Sequence, residues 1–157
     1  MRIGLISDTH GSLETVFKAI VAMGKLDLLI HAGDHYRDAV KISTALNIPV
    51  EAVAGNCDRW DEGPEEKVLE LDGALLFITH GHRYNAKLSI TGLINKATEL
   101  KADAAIYGHT HIPGYCYING LLIINPGSIS KPIAGGSPSY GILEINKGSI
   151  KPAIFNL

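Results

Sequence analysis

The sequence has little cysteine: Cys57 and Cys116 are the two among 157 residues. That is too few for a disulfide-stapled scaffold, and both are read as free thiols of a reducing compartment. It also lacks a long apolar run. The first apolar stretch, Ile3 to Ile6, ends before Asp8, far short of a membrane span or secretory signal. The expected address is cytoplasmic, with no membrane association. Charge of one sign is missing as well: a net charge of −2 and a pI near 6.4 supply no basic footprint for nucleic acid. No linker, charge run, low-complexity tract or repeat interrupts the chain, so residues 1–157 are expected to form a single domain long enough to bury a core.

What is present is a chain of short apolar runs alternating with helical periodicity. Arg2–Ser7 reads as a buried strand, and Ser12 as the cap of a helix over Leu13–Met23 that turns Leu13, Val16, Phe17, Ile20 and Val21 to one side. Gly24 ends it. Leu26–Ile30 is a second strand, Arg37–Leu46 a helix and Pro49–Val53 a third strand, a β-α-β-α-β alternation that implies parallel strands. Asp72-Gly73 joins Lys67–Leu71 to Ala74–Thr79 as a hairpin. A helix over Ala86–Leu100 and a strand over Ala104–Tyr107 follow. Asn119-Gly120 closes a second hairpin between Tyr115–Ile118 and Leu121–Ile124, and Asn146–Gly148 a third between Ser139–Ile145 and Ser149–Phe155. The expected fold is α/β: a layered sandwich of two mixed sheets flanked by helices.

Polar residues gather where these strands end: Asp8-Thr9-His10, Gly33-Asp34, Gly55-Asn56-Cys57-Asp58, Thr79-His80-Gly81-His82 and Gly108-His109-Thr110-His111. Ligands of open α/β sheets gather beyond the carboxyl ends of strands. An extended backbone would point both side chains of Asp8-x-His10, or of His109-x-His111, toward one centre. Mixed imidazole and carboxylate donors suit manganese, iron, zinc or nickel better than magnesium or calcium.

These five blocks in this order resemble the signature of the calcineurin-like metallophosphoesterases. The Gly55–Asp58 block and Asn125-Pro126-Gly127-Ser128 are similar to the compact bacterial and archaeal phosphodiesterases of that superfamily. The resemblance spans residues 1 to about 130. It implies hydrolysis of a small phosphate ester, most naturally a diester, by in-line attack of a hydroxide bridging two divalent metal ions. Manganese is the first choice, with nickel, iron, zinc or magnesium as alternatives. Asp8, His10 and His111 would hold one ion and Asn56, His80 and His109 the other, with Asp34 bridging. Asn56 and His82 are the candidate catalytic residues. Two carboxylates against two dications leave the site positive toward an anion.

Two departures from the resemblance stand out. Cys57 occupies a position where many members carry histidine, and Lys131 follows the Asn125–Ser128 block where relatives often place arginine. His82 is the substitute candidate for phosphate contact. Of the remaining residues, His31 is read as a hydrogen-bonded core histidine and His35 as a rim residue. Asp58 either orients Asn56 or serves as a turn aspartate. Trp60 is read as packing beside its loop, and Cys116 as strand filler. The alternative function is a non-catalytic interaction scaffold that retains the fold, as the small scaffold subunit of the retromer coat does. A nuclease is disfavoured by the lack of a second domain and a basic stripe. Hairpin edges such as Tyr115–Ile124 leave a homo-oligomer open.

Overall fold

In the computed structural model, which describes residues 1–133 and 135–157, the alternating first half forms β1 (Arg2–Ile6), α1 (Leu13–Met23), β2 (Leu28–His31), α2 (Tyr36–Leu46) and β3 (Val50–Ala52). β4 (Glu66–Leu71) and β5 (Ala74–Thr79) follow, then a 3-10 turn at His82–Tyr84, α3 (Thr91–Glu99) and β6 (Ala104–Ile106). The chain continues as β7 (Gly114–Ile118), β8 (Leu121–Asn125), β9 (Ser139–Asn146) and β10 (Ser149–Asn156). Two five-stranded mixed sheets result, ordered β10-β9-β1-β2-β3 and β4-β5-β6-β8-β7. β1 runs parallel to β2, and β2 to β3, while β9 lies antiparallel against β1. In the second sheet β5, β6 and β8 are parallel and the hairpin partners β4 and β7 form antiparallel edges. No helix among the described residues is long and apolar enough to cross a membrane.

The two-residue period of a strand explains the near-continuous apolar runs. Ile3 and Leu5, Leu28 and Ile30, Leu76 and Ile78, Leu122 and Ile124 all enter one cluster between the sheets. Their odd neighbours turn outward beneath helices: Ile6 and Leu29 pack with Val16, Ala19, Met23 and Ile42 of α1 and α2. Phe77, Ala105 and Ile123 pack with Leu93 and Ala97 of α3. Strands buried on both faces need no polar alternation. The hairpin turns use consecutive left-handed residues, Asp72 (φ 48) with Gly73 (φ 81) and Asn119 (φ 51) with Gly120 (φ 86), which matches the twist of the flanking strands.

Three local expectations need correction. Ser12 precedes α1 but makes no capping bond; its hydroxyl pairs instead with that of Thr15 at 2.8 Å. Val21 is 80% exposed, because five residues of helix place it about 140° around the axis from buried Val16. The helix expected over Ala86–Leu100 is confined to Thr91–Glu99. Left-handed Asn85 (φ 51) closes a separate turn, its carbonyl taking the N–H groups of Leu88 and Ser89, and the Ser89 hydroxyl then accepts the Thr91 N–H at 3.2 Å.

Ile106 sits fully buried in the central strand of the second sheet and faces the first. Ile106→Ala is expected to lower unfolding free energy in urea by about 3 kcal/mol without changing the secondary structure. A loss below about 1 kcal/mol would contradict a close-packed interface between the sheets.

Candidate metal centre

The five polar blocks emerge beyond the carboxyl ends of β1, β2, β3, β5 and β6, so both sheets contribute to one edge. Convergence is achieved by left-handed backbone, which replaces the extended alternation expected for Asp-x-His and His-x-His. Asp8 (φ 56), His10 (φ 42), Asp34 (φ 63), His35 (φ 66), His109 (φ 65) and His111 (φ 58) all have positive φ. The other six non-glycine residues with positive φ are Asn47, Asp72, Asn85, Lys101, Asn119 and Lys147, four of them types that tolerate this region. Two left-handed residues flanking one ordinary residue turn the chain sharply and swing both side chains inward. Such strain concentrates at functional sites.

Donor atoms of Asp8, His10 and His111 lie within 4.8 Å of one another, as do those of Asp8, Asp34 and His80, and those of His10, Asp34 and Cys57. His111 Nε2 is 3.0 Å from Asp8 Oδ1, His80 Nε2 is 3.3 Å from Asp34 Oδ1, and His10 Nε2 is 3.6 Å from Asp34 Oδ2. His109 stands beside them, its ring 5.0 Å from that of His80 and its N–H donating to Asp8 Oδ2 at 3.2 Å. Asn56 is exposed, and its carboxamide donates to Cys57 Sγ at 3.5 Å. His82 adjoins the cluster, its ring 5.5 Å from that of His80.

Proton positions decide what this cluster can bind. His80 Nδ1 lies 2.8 Å from the Ala32 carbonyl and His111 Nδ1 lies 2.6 Å from the Lys131 carbonyl. A carbonyl only accepts, so each Nδ1 carries a hydrogen and Nε2 faces the carboxylates, where a neutral ring offers its lone pair to a cation. Asp8 Oδ1, His10 Nε2, His80 Nε2 and His82 Nδ1 are buried without a hydrogen-bond partner. Lone pairs and carboxylates facing each other out of water are mutually repulsive unless a cation lies between them. The donor set therefore fits divalent metal.

Titration of three of these rings agrees with that reading, and His111 runs the other way. Burial pushes His109 down to about 4 and also lowers His10 and His82, leaving these imidazoles neutral and able to ligate near pH 7. The Lys87 charge adds to the effect at His109. His111 is raised by the Asp8 carboxylate against it. Asp34 is lowered: His80 and the Cys57 N–H, 3.0 Å from Oδ1, outweigh the burial that opposes its charge. Desolvation of the sulfur and the neighbouring Asp34 push the Cys57 thiol up to about 11, so it is protonated at neutral pH.

A rear layer locks the loops; of its side chains, sequence pointed to His31, Asn125 and Ser128 but not to the parts of Thr9, Asp38 and Ser130. Gly33 N–H donates to His31 Nδ1 at 3.2 Å, which leaves Nε2–H to donate to Thr9 Oγ1 at 3.1 Å. The Thr9 hydroxyl in turn donates to Asp38 Oδ2 at 2.8 Å, and Gly11 N–H reaches the same oxygen at 2.8 Å. His31 is thus the hydrogen-bonded core histidine expected. Ser128 and Ser130 donate to the Asp8 carbonyl at 3.1 and 2.8 Å, and Asn125 donates to the Gly108 carbonyl at 2.8 Å. Asp38 is the acidic residue in the first turn of α2. Two glycines are sterically required. A Cβ at Gly33 (φ 96) would lie 2.5 Å from His80 Nδ1, and one at Gly108 would lie 2.9 Å from both the Ala32 carbonyl and Asp8 Oδ2.

Other residues fall as follows. Asp58 is a turn aspartate with a second task, accepting N–H bonds from Gly55 and from Tyr36 at the start of α2, both at 2.8 Å. His35 is a rim residue whose ring meets that of His10 edge-on at 5.1 Å. Lys131 contributes its carbonyl to His111. Trp60 does not pack beside its loop: it is 90% exposed, since the short Arg59–Gly63 turn offers no apolar partner among the described residues. Cys116 is exposed on β7, the outer strand of its sheet, so it fills no core.

Residues 1–148 match the model of the calcineurin-like phosphoesterase superfamily domain. The chain is 36% identical to the probable metallophosphoesterase YsnB of Bacillus subtilis over 148 residues, covering 92% of this chain and 85% of that one. It is 32% identical to phosphodiesterase MJ0936 of Methanocaldococcus jannaschii, covering 94% and 95% of the two chains. Among solved structures, a predicted phosphoesterase from Streptococcus pneumoniae superposes with a TM-score of 0.83 at 30% identity, over 99% of this chain and 88% of that one. Vps29 of Entamoeba histolytica shares the fold with a TM-score of 0.80 at 23% identity, over 100% and 99% of the two chains.

Buried neutral histidine has a measurable consequence. His31, fully buried and held near 4, binds its proton later than in the unfolded chain, so the unfolded state takes up protons first as pH falls below 6.5. Stability of the metal-free protein should therefore drop between pH 6.5 and 4 and level off below, by on the order of 3 kcal/mol for this residue. His31→Gln should flatten the pH dependence of the urea midpoint in that window. An unchanged slope would show that His31 titrates normally.

Proposed function

Because the chain belongs to the calcineurin-like phosphoesterase superfamily, we propose that it is a phosphodiesterase working with two divalent ions held at the strand-end cluster. The observation that carries this is the set of buried, unpartnered lone pairs on Asp8, His10 and His80 pointing at one another. Asp8, His10 and His111 form the first ligand group, supported by donor atoms within 4.8 Å of one another. His80, His109 and Asn56 form the second, and Asp34, near both His10 and His80, is shared. Manganese is the favoured ion, since the donors are mixed nitrogen and oxygen.

The chemistry that divalent ions would supply there is Lewis-acid activation of water and of the phosphate ester. The protein's own part is positioning. The Ala32 and Lys131 carbonyls fix the His80 and His111 rings in the ligating tautomer. Neutral Asn56 keeps the site one negative charge lighter than a third carboxylate would, which favours an anionic phosphate. His82, whose Nδ1 is unpartnered beside His80 and His109, is the group for phosphate contact. Cys57, protonated with Asp34 against it, can donate a hydrogen bond but is not a nucleophile. The scaffold reading rests on the fold shared with Vps29.

The protein should hydrolyse bis(4-nitrophenyl) phosphate with added manganese and lose that activity on chelation. His109→Ala should lower kcat/KM by about hundredfold or more and reduce manganese bound per chain, with an unchanged circular dichroism spectrum. Metal-loaded protein inert toward phosphomonoesters and diesters alike would overturn the proposal.

A further inference from the structure

A groove of about 550 Å³ opens beside the metal centre between the segment leading into α3 and the start of the β7–β8 hairpin. It is joined to the centre by shared chain. Thr110, which lines it, lies between His109 and His111. Tyr107 lines it too and packs on Gly81, between His80 and His82: a Cβ at Gly81 would meet the Tyr107 ring at 3.3 Å. Thr110 and Tyr107 thus set the groove next to His109 and His111 and, through Gly81, next to His80 and His82.

The lining states the chemistry the groove accepts. Ile90, Ile112, Pro113 and Ile123 give apolar walls. Tyr107 and Tyr115 add two aromatic rings, and Ile112 and Tyr115 stay 57% and 50% exposed, which is apolar surface left open to solvent. At the rim stands Lys87, an ammonium with no ion-pair partner among the described residues, together with the Thr110 hydroxyl. A bare phosphate or a methyl ester would leave these walls wet. An alkyl chain would use the walls and ignore the rim. A flat heterocycle with polar edges uses both, stacking on tyrosine and offering acceptors to Lys87.

Resting on the phosphodiesterase reading, we propose that this groove is the subsite for one ester arm of the substrate, and that the arm is an aromatic heterocycle the size of a nucleoside. The groove sets specificity, and the metal ligands do not.

Calorimetric titration of manganese-loaded protein with three monoesters tests this: methyl phosphate, octyl phosphate and thymidine 5′-phosphate. The thymidine compound should bind about tenfold more tightly than methyl phosphate. Tyr115→Ala should remove most of that ratio while leaving methyl phosphate affinity unchanged. Lys87→Gln, a change at an exposed rim position that keeps the fold, should weaken the thymidine compound more than the octyl one. Equal binding of methyl and thymidine phosphates, or octyl phosphate binding tightest, would overturn the assignment. The two readings separate cleanly. Arm preference without diester turnover would leave the groove standing and remove the phosphodiesterase, and turnover without arm preference would do the reverse.

Discussion

Two buried carboxylates looking into the lone pairs of buried imidazoles are the constraint on which the rest of the molecule turns. Asp8 is 0% and Asp34 3% exposed, and among the described residues only histidines, no lysine or arginine, lie in ion-pair reach of either. Desolvated acids cost several kcal/mol each without a partner, so the arrangement is unfavourable by itself and is relieved by cation. The folded state must supply the free energy that holds it. It does so with the apolar cluster between the sheets, because Asp8, His10 and Asp34 come from one sheet and His80, His109 and His111 from the other. The centre exists only where the two sheets are packed together.

Keeping the candidate ligands together also requires that loop backbones do not relax. Three devices do this. Left-handed residues at Asp8, His10, Asp34, His109 and His111 turn the chain at the strand ends and aim these side chains inward. The buried chain from Gly33 through His31 and Thr9 to Asp38 binds the first two loops to each other. Ser128 and Ser130 hold the Asp8 carbonyl from behind. Each hydrogen bond contributes only about 1 kcal/mol net, yet together they are what a strained site needs to persist.

In the proposed reading the centre and the groove beside it divide the work: cation ligands would act on phosphate, which every ester shares, and apolar and aromatic walls on what differs between esters. Thr110 and Tyr107 line the groove and sit within two residues of a candidate ligand, which would connect binding of the arm to orientation of the phosphorus.

Much of this protein was legible in its residues. All ten strands, the three hairpins and the helices over Leu13–Met23 and Tyr36–Leu46 follow from apolar periodicity and from Asp-Gly, Asn-Gly and Lys-Gly turns, because those signals act over a few residues. The candidate ligands were visible for the same reason, as polar triplets abutting strand ends. Tertiary structure alone decided which strands share a sheet, that Asp-x-His and His-x-His converge through left-handed turns, and that Asp38, Ser128 and Ser130 reach the first loop. It also decided that Trp60 is bare and that Tyr107, Thr110 and Tyr115 line one groove. These are contacts between residues far apart in the chain, set by how whole sheets and helices pack, and local sequence carries no record of them.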